Sequence, residues 1–304
     1  MSPKTQNFNS RQSMHRNTFE VFRYKDAYMN EVALHHHDFY EVYLFLSGNV
    51  TYSIESRNYL LTPGDILLIS PMELHQPMFG PEQQPYERFI LWINKNYLQQ
   101  FSLLGEDVTR CFDTSLPGHT NLLHPDGATR EMLMYFLEQM VQEGRNEGYA
   151  SELYNASCLA QVMVLINRLA LRSHGDAEVK IASDSVVYRV LGYINEHYQE
   201  DLSLDTLANR FFISKYHLSR EFNRLVGTSV YRYIIQKRLV VAKQLMGEGI
   251  PSTTVYQHCG FGDYSNFYRA FKSEYQISPK TYMVSLRQDV TEREQRNKML
   301  KEFR

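Results

Sequence analysis

Over roughly the first third of the chain, hydrophobic and polar positions come in short runs rich in β-branched and aromatic residues. "EVYLFLSG" from Glu41, "VTYSIES" from Val50, "YLLTPGDILLIS" from Tyr59 and "ERFILWIN" from Glu87 are separated by turn signals such as Ser47-Gly48-Asn49 and Pro63-Gly64-Asp65. Many short strands at close spacing predict a sandwich or small barrel up to about Asn94. The period then changes. Lys95 to Leu104 reads as helix, Gly105 to Asp126 as irregular, and Ala128 to Gln142 sets Leu133, Phe136, Leu137, Met140 and Val141 at helical spacing. A second helix, from about Ala150 to Arg172, carries a broad apolar face of Leu153, Ala156, Leu159, Ala160, Met163, Val164, Ile166, Leu169 and Ala170. Two such antiparallel helices can cover the sheet or pair with another copy of the chain, and the width of the face suits both.

"SHGDAEVKIASD", Ser173 to Asp184, is polar and aperiodic, which predicts a linker. Beyond Asp184 helical spacing holds throughout, beginning with Val186, Val190, Leu191, Ile194 and Tyr198. In "LSLDTLANRFFISKYHLSREFNRLVG", Ser203 can cap a short helix that turns Leu204, Leu207, Ala208 and Phe211 inward. Ser214 can cap a second helix that buries Leu218 and Phe222. "STTVYQHCGFGDYSNFYRAFKSEYQISP" repeats the plan: Val255 and Cys259 inward, a turn at Gly260-Phe261-Gly262, a cap at Asp263, then Phe267 and Phe271 buried. Ser229 to Met246 between them predicts one long amphipathic helix.

If Leu218 and Phe222 are core, then Lys215, Tyr216, Ser219, Arg220 and Asn223 face outward, and Tyr264, Ser265, Asn266 and Arg269 do so in the second unit. Arg can bond a guanine edge twice, Asn an adenine edge, and Ser or a helix N-terminus a phosphate. Two such helices on one connector would enter successive major grooves, about 34 Å apart.

Charge supports this only once the chain is divided. The net charge is -2, but residues 1–180 hold 14 Lys+Arg against 21 Asp+Glu, and residues 181–304 hold 18 against 13. From Ser214 to Lys243, Lys215, Arg220, Arg224, Arg232, Lys237, Arg238 and Lys243 face Glu221 alone, a field suited to phosphates. No apolar run reaches the roughly 18 residues of a membrane span, and the polar start "MSPKTQNFNSRQSMHRN" lacks a secretory core, which predicts a cytoplasmic protein without membrane partners. Cys111, Cys158 and Cys259 are far apart, without CxxC spacing, and read as reduced thiols.

Residues 185–286 resemble the DNA-binding domain of the AraC/XylS family of bacterial transcription regulators. The resemblance rests on "LSLDTLA", "SKYHLSREF", the "KRLVVAKQLM" connector, "GFGDYSNFYRAFK" and "ISP" followed by Tyr282. It implies base reading by Tyr216, Ser219 and Arg220 in the first helix and by Tyr264, Ser265, Asn266 and Arg269 in the second. The second unit departs from the family's pattern. Tyr256 stands where Ala is usual, and Gln276 stands where a helix-ending Gly is usual.

Beside a DNA-binding half, the strand-rich half is most simply a sensor. "HHHDFYEVYLFLSG" resembles the first cupin motif through His35, His37, Glu41 and Gly48, and "PGDILLISPMELH" resembles the second more weakly through Pro63, Gly64, Pro71 and His75. Its Pro-to-His interval is one residue short, and Glu73 replaces the usual inner Gly. On alternating strand positions His35, His37 and Glu41 would point inward and meet His75, with His36 outward. Three readings are open: a polar pocket for an organic effector, a 3-His, 1-carboxylate metal shell, or structural histidines. The resemblance favours the effector pocket, with no cofactor. Tyr43, Tyr52 and Trp92 are further pocket candidates for stacking on a sugar or aromatic ring, or are plain core.

The expected architecture is α+β in two domains: an N-terminal cupin-like β-barrel with a helical hairpin, and a C-terminal all-α domain with two helix-turn-helix motifs. The boundaries are a flexible arm at 1–20, a sensor and dimerisation domain at 21–172, a linker at 173–184, a DNA-binding domain at 185–286 and a charged tail at 287–304. The expected function is a non-enzymatic, sequence-specific transcription regulator. It would respond to a small effector, a sugar or other polar metabolite, and its partners would be an operator, a second copy and RNA polymerase. The rival readings are a metal-dependent cupin enzyme fused to a DNA-binding domain, and a DNA binder with no effector.

Overall fold

The strand-rich third consists of β1 (Phe19–Asp26), β2 (Tyr40–Ser47), β3 (Val50–Ile54), β4 (Arg57–Leu60), β5 (Ile66–Ile69), β6 (His75–Phe79) and β7 (Tyr86–Ile93). They belong to a computed structural model that describes residues 12–27, 29, 32–80, 84–102, 105–144, 148–173 and 185–286. Residues 1–11 of the expected arm, 174–184 of the expected linker and the expected tail at 287–304 lie outside the described residues. Contacts divide the chain into two units, Met1–Asp184 and Ser185–Arg304.

In the first unit a five-stranded antiparallel sheet runs β1-β7-β2-β5-β8, with β8 only Leu122–Leu123, and a three-stranded sheet runs β4-β3-β6. The expected barrel is thus a pair of sheets. Period-2 alternation decides what each face of the larger sheet buries. Val42 and Leu44 on β2, Ile66 and Leu68 on β5, and Phe89, Leu91 and Ile93 on β7 pack in one core with the helices. The intervening Tyr43 and Phe45, Leu67 and Ile69, and Ile90 and Trp92 pack with Tyr52, Ile54 and Tyr59 of the smaller sheet in the other. Each fully buried aliphatic or aromatic side chain contributes about 1.5–3 kcal/mol.

β1 and β6 escape the pattern of the sequence; β1 packs both of its faces, Phe19 and Val21 in one core and Phe22 and Tyr24 in the other, so apolar residues do not alternate with polar ones. β1 keeps Arg23 and Lys25 at its surface in ion pairs with Glu87. β6 contains Pro77, which an edge strand tolerates because no neighbour needs its missing N–H.

After α1 (Lys95–Phe101), a 3-10 turn at Arg110–Phe112 and β8 interrupt a stretch that reads as wholly irregular. α2 (Gly127–Glu143) and α3 (Ser151–Arg172) then cover the larger sheet through Leu133, Leu137, Met140, Leu159, Val162, Met163 and Ile166. Leu153 and Val164, counted on the apolar face, instead lie at the surface with Met132, Tyr135, Tyr154 and Leu171. The register of α3 on the sheet puts Cys158 and Val162 inward in their place.

The second unit is helical among its described residues: α4 (Val186–His197), α5 (Leu204–Arg210), α6 (Lys215–Val226), α7 (Val230–Gly247), α8 (Val255–His258) and α9 (Tyr264–Tyr275). Side chains of Ser203, Ser214, Ser229 and Asp263 cap α5, α6, α7 and α9 by accepting from Thr206, His217, Arg232 and Asn266 N–H. α6 and α9 have the same length, both end in a left-handed residue, Gly227 and Gln276, and bury equivalent pairs, Leu218 with Phe222 and Phe267 with Phe271. Gln276 takes φ +61° without being glycine, a conformation costing about 1–2 kcal/mol. The leading helices are unequal: α8 is a single turn whose Thr254 makes no side-chain cap. Cys111, Cys158 and Cys259 are free and buried. No helix among the described residues is long and apolar enough to cross a membrane.

Candidate nucleic-acid interface and effector cavity

Because Leu218, Phe222 and Val226 are buried along α6, its opposite face is set by helical geometry. Lys215, Tyr216, Ser219, Arg220 and Asn223 are all exposed there. Arg220 pairs with the surface carboxylate of Glu221, at 3.3 Å, and its guanidinium lies 5.9 Å from the Tyr216 ring centroid. Lys215 pairs with Asp205 of α5 at 2.7 Å, and Arg224 takes Glu221 at 2.8 Å. These exposed contacts are worth little in water and yield easily to a phosphate.

On α9, Ser265, Asn266 and Arg269 are exposed. They are already organised: Asn266 Nδ2 donates to Asp263 at 2.6 Å, and Arg269 Nη2 donates to Asn266 Oδ1 at 2.6 Å. Tyr264 is half-buried against Phe267 and Tyr256, so part of its ring belongs to the core. Tyr256, the departure from Ala, thus fills the space beside α9 with an edge-on ring contact at 6.0 Å.

The cationic count from Ser214 to Lys243 is misleading as a measure of the surface field. Lys243 is buried, its ammonium 4.7 Å from the Tyr275 ring centroid and 5.1 Å from that of Tyr282. Arg238 is half-buried and donates to the carbonyls of Tyr198 and Glu200. Two of the seven basic side chains therefore hold the fold together.

In the first unit, the segment before β2 is extended rather than a regular strand. A single bridge, His35 N to His75 O at 3.1 Å and His75 N to His35 O at 2.9 Å, ties it to β6. His35, His37, Glu41, Tyr43, Tyr52, His75 and Trp92 are all buried. The ring centroids of His35 and His37 lie 4.2 and 4.8 Å from that of His75, and Trp92 Nε1 donates to Glu41 Oε2 at 2.8 Å. Burial pushes the His75 imidazole well below its ordinary pKa and that of His35 down to about 4, so both are neutral near pH 7. His36, expected outward, is half-buried.

These seven positions do not share a single hole. His35, Glu41, Tyr43 and Tyr52 line a cavity of about 20 Å³, together with Gln12, Met29, Val32, Pro77, Tyr86, Arg88 and Ile90, whereas His37, His75 and Trp92 are not part of its wall. That volume holds about one water. Tyr43 and Tyr86 hydroxyls hydrogen bond to each other, and the Tyr86 phenol is pushed up to about 12, mainly by burial. Arg88, almost fully buried, pairs with Asp26 and sits 4.0 Å over the Tyr86 ring. Reasoning from the sequence passes over Arg88 and Tyr86. Their signal was phase: Tyr86, Arg88, Ile90 and Trp92 occupy the same face of β7, so an arginine stood in an inward position of an apolar strand.

Two family models match the chain. One, described as an AraC-like ligand binding domain, covers residues 20–156, and the other, described as a helix-turn-helix domain, covers residues 207–284. Over 247 residues the chain is 24% identical to a protein named HTH-type transcriptional activator RhaS from Escherichia coli O157:H7 (strain EC4115 / EHEC), spanning 81% of this chain and 85% of that one. The protein of the same name from Enterobacter sp. (strain 638) matches with the same identity and the same coverage. Among solved structures, ToxT from Vibrio cholerae aligns over 88% of this chain and 98% of its own at 13% identity, with a TM-score of 0.37.

Proposed function

The chain belongs to the AraC/XylS family of transcription regulators, and from that premise we propose that it reads an operator through α6 and α9 under the control of a small polar effector held between its two sheets. One observation carries the effector assignment. A core that is otherwise aromatic and aliphatic turns a carboxylate (Glu41), an imidazole (His35), three phenols (Tyr43, Tyr52 and Tyr86) and a guanidinium (Arg88) toward one cavity. Burying such groups costs free energy unless they are hydrogen-bonded, and their convergence suits a ligand rich in hydroxyls, such as a sugar, with ring faces for its apolar side.

At about 20 Å³ the cavity must open to admit such a ligand. Gln12 and Met29 belong to the segments flanking β1, which form the wall with the least regular structure. The proposed effector shifts the protein toward the open arrangement by binding it more tightly than the closed one. The DNA-contacting set is Lys215, Tyr216, Ser219, Arg220 and Asn223 on α6 and Tyr264, Ser265, Asn266 and Arg269 on α9. Self-association is assigned to the outer surface of the α2–α3 hairpin, where Met132, Tyr135, Tyr154, Val164 and Leu171 are exposed. The relatives are named as activators, so RNA polymerase is a further proposed partner.

A thermal-shift panel of monosaccharides and other polar metabolites tests the effector. A ligand confined to the native state stabilises it by about 2.7 kcal/mol at a hundredfold excess over Kd, and Arg88→Leu should abolish the shift. A chain that binds its operator specifically yet responds to no member of such a panel would instead be a DNA binder without an effector.

A further inference from the structure

We infer that Glu221 is a specificity-determining residue of α6: its carboxylate holds Arg220 and Arg224 back from the phosphates of non-cognate DNA, so that tight binding requires a sequence offering Arg220 a base partner. The inference rests on the proposed operator face of α6 and adds to it two residues, Glu221 and Arg224, that lie outside the contact set assigned there. Arg220 and Arg224 stand one turn apart, and Glu221 follows Arg220 about 100° round the helix, beside both. Arg224 Nε and Nη2 donate to Glu221 Oε2 at 3.0 and 2.8 Å, and Arg220 Nε lies 3.3 Å from Glu221 Oε1, so each carboxylate oxygen takes one guanidinium.

The two arginines are not held alike. Glu221 meets Arg220 at Nε, so a guanine edge can take the two terminal nitrogens of Arg220 with the pair intact. It meets Arg224 at both Nε and Nη2, so a phosphate that takes Arg224 must displace the carboxylate. The Glu221 side chain keeps 20% of its accessible surface, against 59% for Arg220 and 63% for Arg224, and lies beneath their guanidinium groups. Hydrogen bonds from Arg224 hold its carboxyl below the usual range, so it is ionised at neutral pH. In the free protein these exposed pairs are weak, and breaking them costs little. What costs more is the result, a phosphate seated beside a carboxylate of the same sign. A random sequence meets that repulsion uncompensated, whereas a cognate one offsets it through the base contact of Arg220.

α9 shows that the fold does not need this arrangement. Counting from the equivalent buried residues, Leu218 with Phe267 and Phe222 with Phe271, Arg220 corresponds to Arg269, but Glu221 corresponds to Ala270 and Arg224 to Ser273. The acid and the second arginine are present together in one unit and replaced together in the other. Arg269 donates instead to the neutral amide of Asn266.

Full-length protein is titrated by fluorescence anisotropy against a labelled random-sequence duplex, and against duplexes that the wild-type chain selects from a random library, between about 50 and 200 mM KCl. Each phosphate contact contributes about 0.9 to the slope of log affinity on log salt. Glu221→Gln should steepen the random-DNA slope by about 0.9 for each arginine released, so that its random-DNA affinity gains about 3–12-fold more than that of the wild type across this range. Selected duplexes should gain less, and the ratio of selected to random affinity should fall. A pair that only stabilised the helix would change the melting temperature and leave the slope alone. Glu248→Gln makes the same change of charge at the exposed end of α7 and should leave the slope as it is. Arg224→Gln should also leave it unchanged, because Glu221 already holds that cation, and it carries the test should Glu221→Gln fail to fold by circular dichroism. An unchanged slope in Glu221→Gln, an equal change in Glu248→Gln, or a flatter slope in Arg224→Gln would overturn the assignment. Wild-type protein that binds neither kind of duplex would overturn the operator face of α6, and this inference with it.

Discussion

Arg238 Nε donates to the carbonyl oxygen of Tyr198 at 2.8 Å, so the long connector α7 grips the C-terminal end of α4. A second donor of the same guanidinium holds the Glu200 carbonyl at 2.7 Å. Gly260, at φ +79°, comes so close that a Cβ there would stand 2.6 Å from the Tyr198 oxygen and 2.9 Å from Gln199 Cα. The end of α4, the connector and the turn of the second helix-turn-helix therefore meet at one carbonyl. Hydrogen bonds from charged donors contribute about 1.5–3 kcal/mol, so Arg238→Ala should lower unfolding stability by that order in urea titrations. Gly260→Ala should cost about 1–3 kcal/mol by overpacking, with added strain from its positive φ. Near-wild-type midpoints for both would mean that the two halves are not fastened here.

Arg220→Ala should weaken specific operator binding by about 1–3 kcal/mol while leaving the thermal midpoint unchanged, because the side chain is exposed and its ion pair is with the surface carboxylate of Glu221. Mobility-shift titrations at fixed salt read the first quantity and calorimetry the second. Equal losses on operator and random DNA would reduce Arg220 to a phosphate contact.

α6 and α9 begin with different caps, Ser214 and Asp263. Ser214→Ala and Asp263→Ala should each cost about 1 kcal/mol of stability. Asp263→Ala should also free Asn266, which it holds at 2.6 Å, and thereby alter α9-dependent sequence preference more than Ser214→Ala alters that of α6. Selection of binding sites from a random library compares the two directly.

Phe212 is 95% exposed and adopts φ +55° in the turn before α6. An exposed aromatic ring gains no burial there, and a left-handed backbone costs a non-glycine residue about 1–2 kcal/mol. Phe212→Gly should therefore raise stability by up to that amount, less glycine's larger loss of chain entropy. A fall in the unfolding midpoint would reveal a contact that supports the ring.

Deleting Ala128 to Arg172 would remove eight of the twenty buried residues of the core on that sheet face, so it is not a clean test of self-association. Val164→Glu with Leu171→Glu changes only exposed positions on α3 and should abolish the proposed self-association in sedimentation at an unchanged melting temperature. Persisting dimers would move the interface off this hairpin.

Periodicity and chemistry along the chain were enough to place most helices, the duplicated helix-turn-helix and its caps. These depend on neighbours within a few residues: a serine or aspartate accepts from an N–H three positions on, and Leu218 and Phe222 share a face because they are one turn apart. The same local rule exposed Arg220 and Ser265. It did not show that Lys243 and Arg238 turn inward, because that depends on Tyr275, Tyr282 and the end of α4, all distant in sequence. Nor did it find β1, which packs both faces, or β6, a short strand that contains Pro77.

The partners of the buried histidines were likewise beyond any reading of "HHHDFYE". Spacing brought His35, His37 and Glu41 to attention, but Nδ1 of His75, on the other sheet, meets the Glu73 carbonyl, and its Nε2 has no hydrogen-bond partner among the described residues. The small cavity beside Glu41 owes its polarity to Arg88 and Tyr86, brought there by pairing of β7 with β2. Local pattern dictates helices, caps and exposed faces because those involve residues within one or two turns. Cavities and buried charges come from strands that meet only when the sheets close, so they were decided by the folded chain.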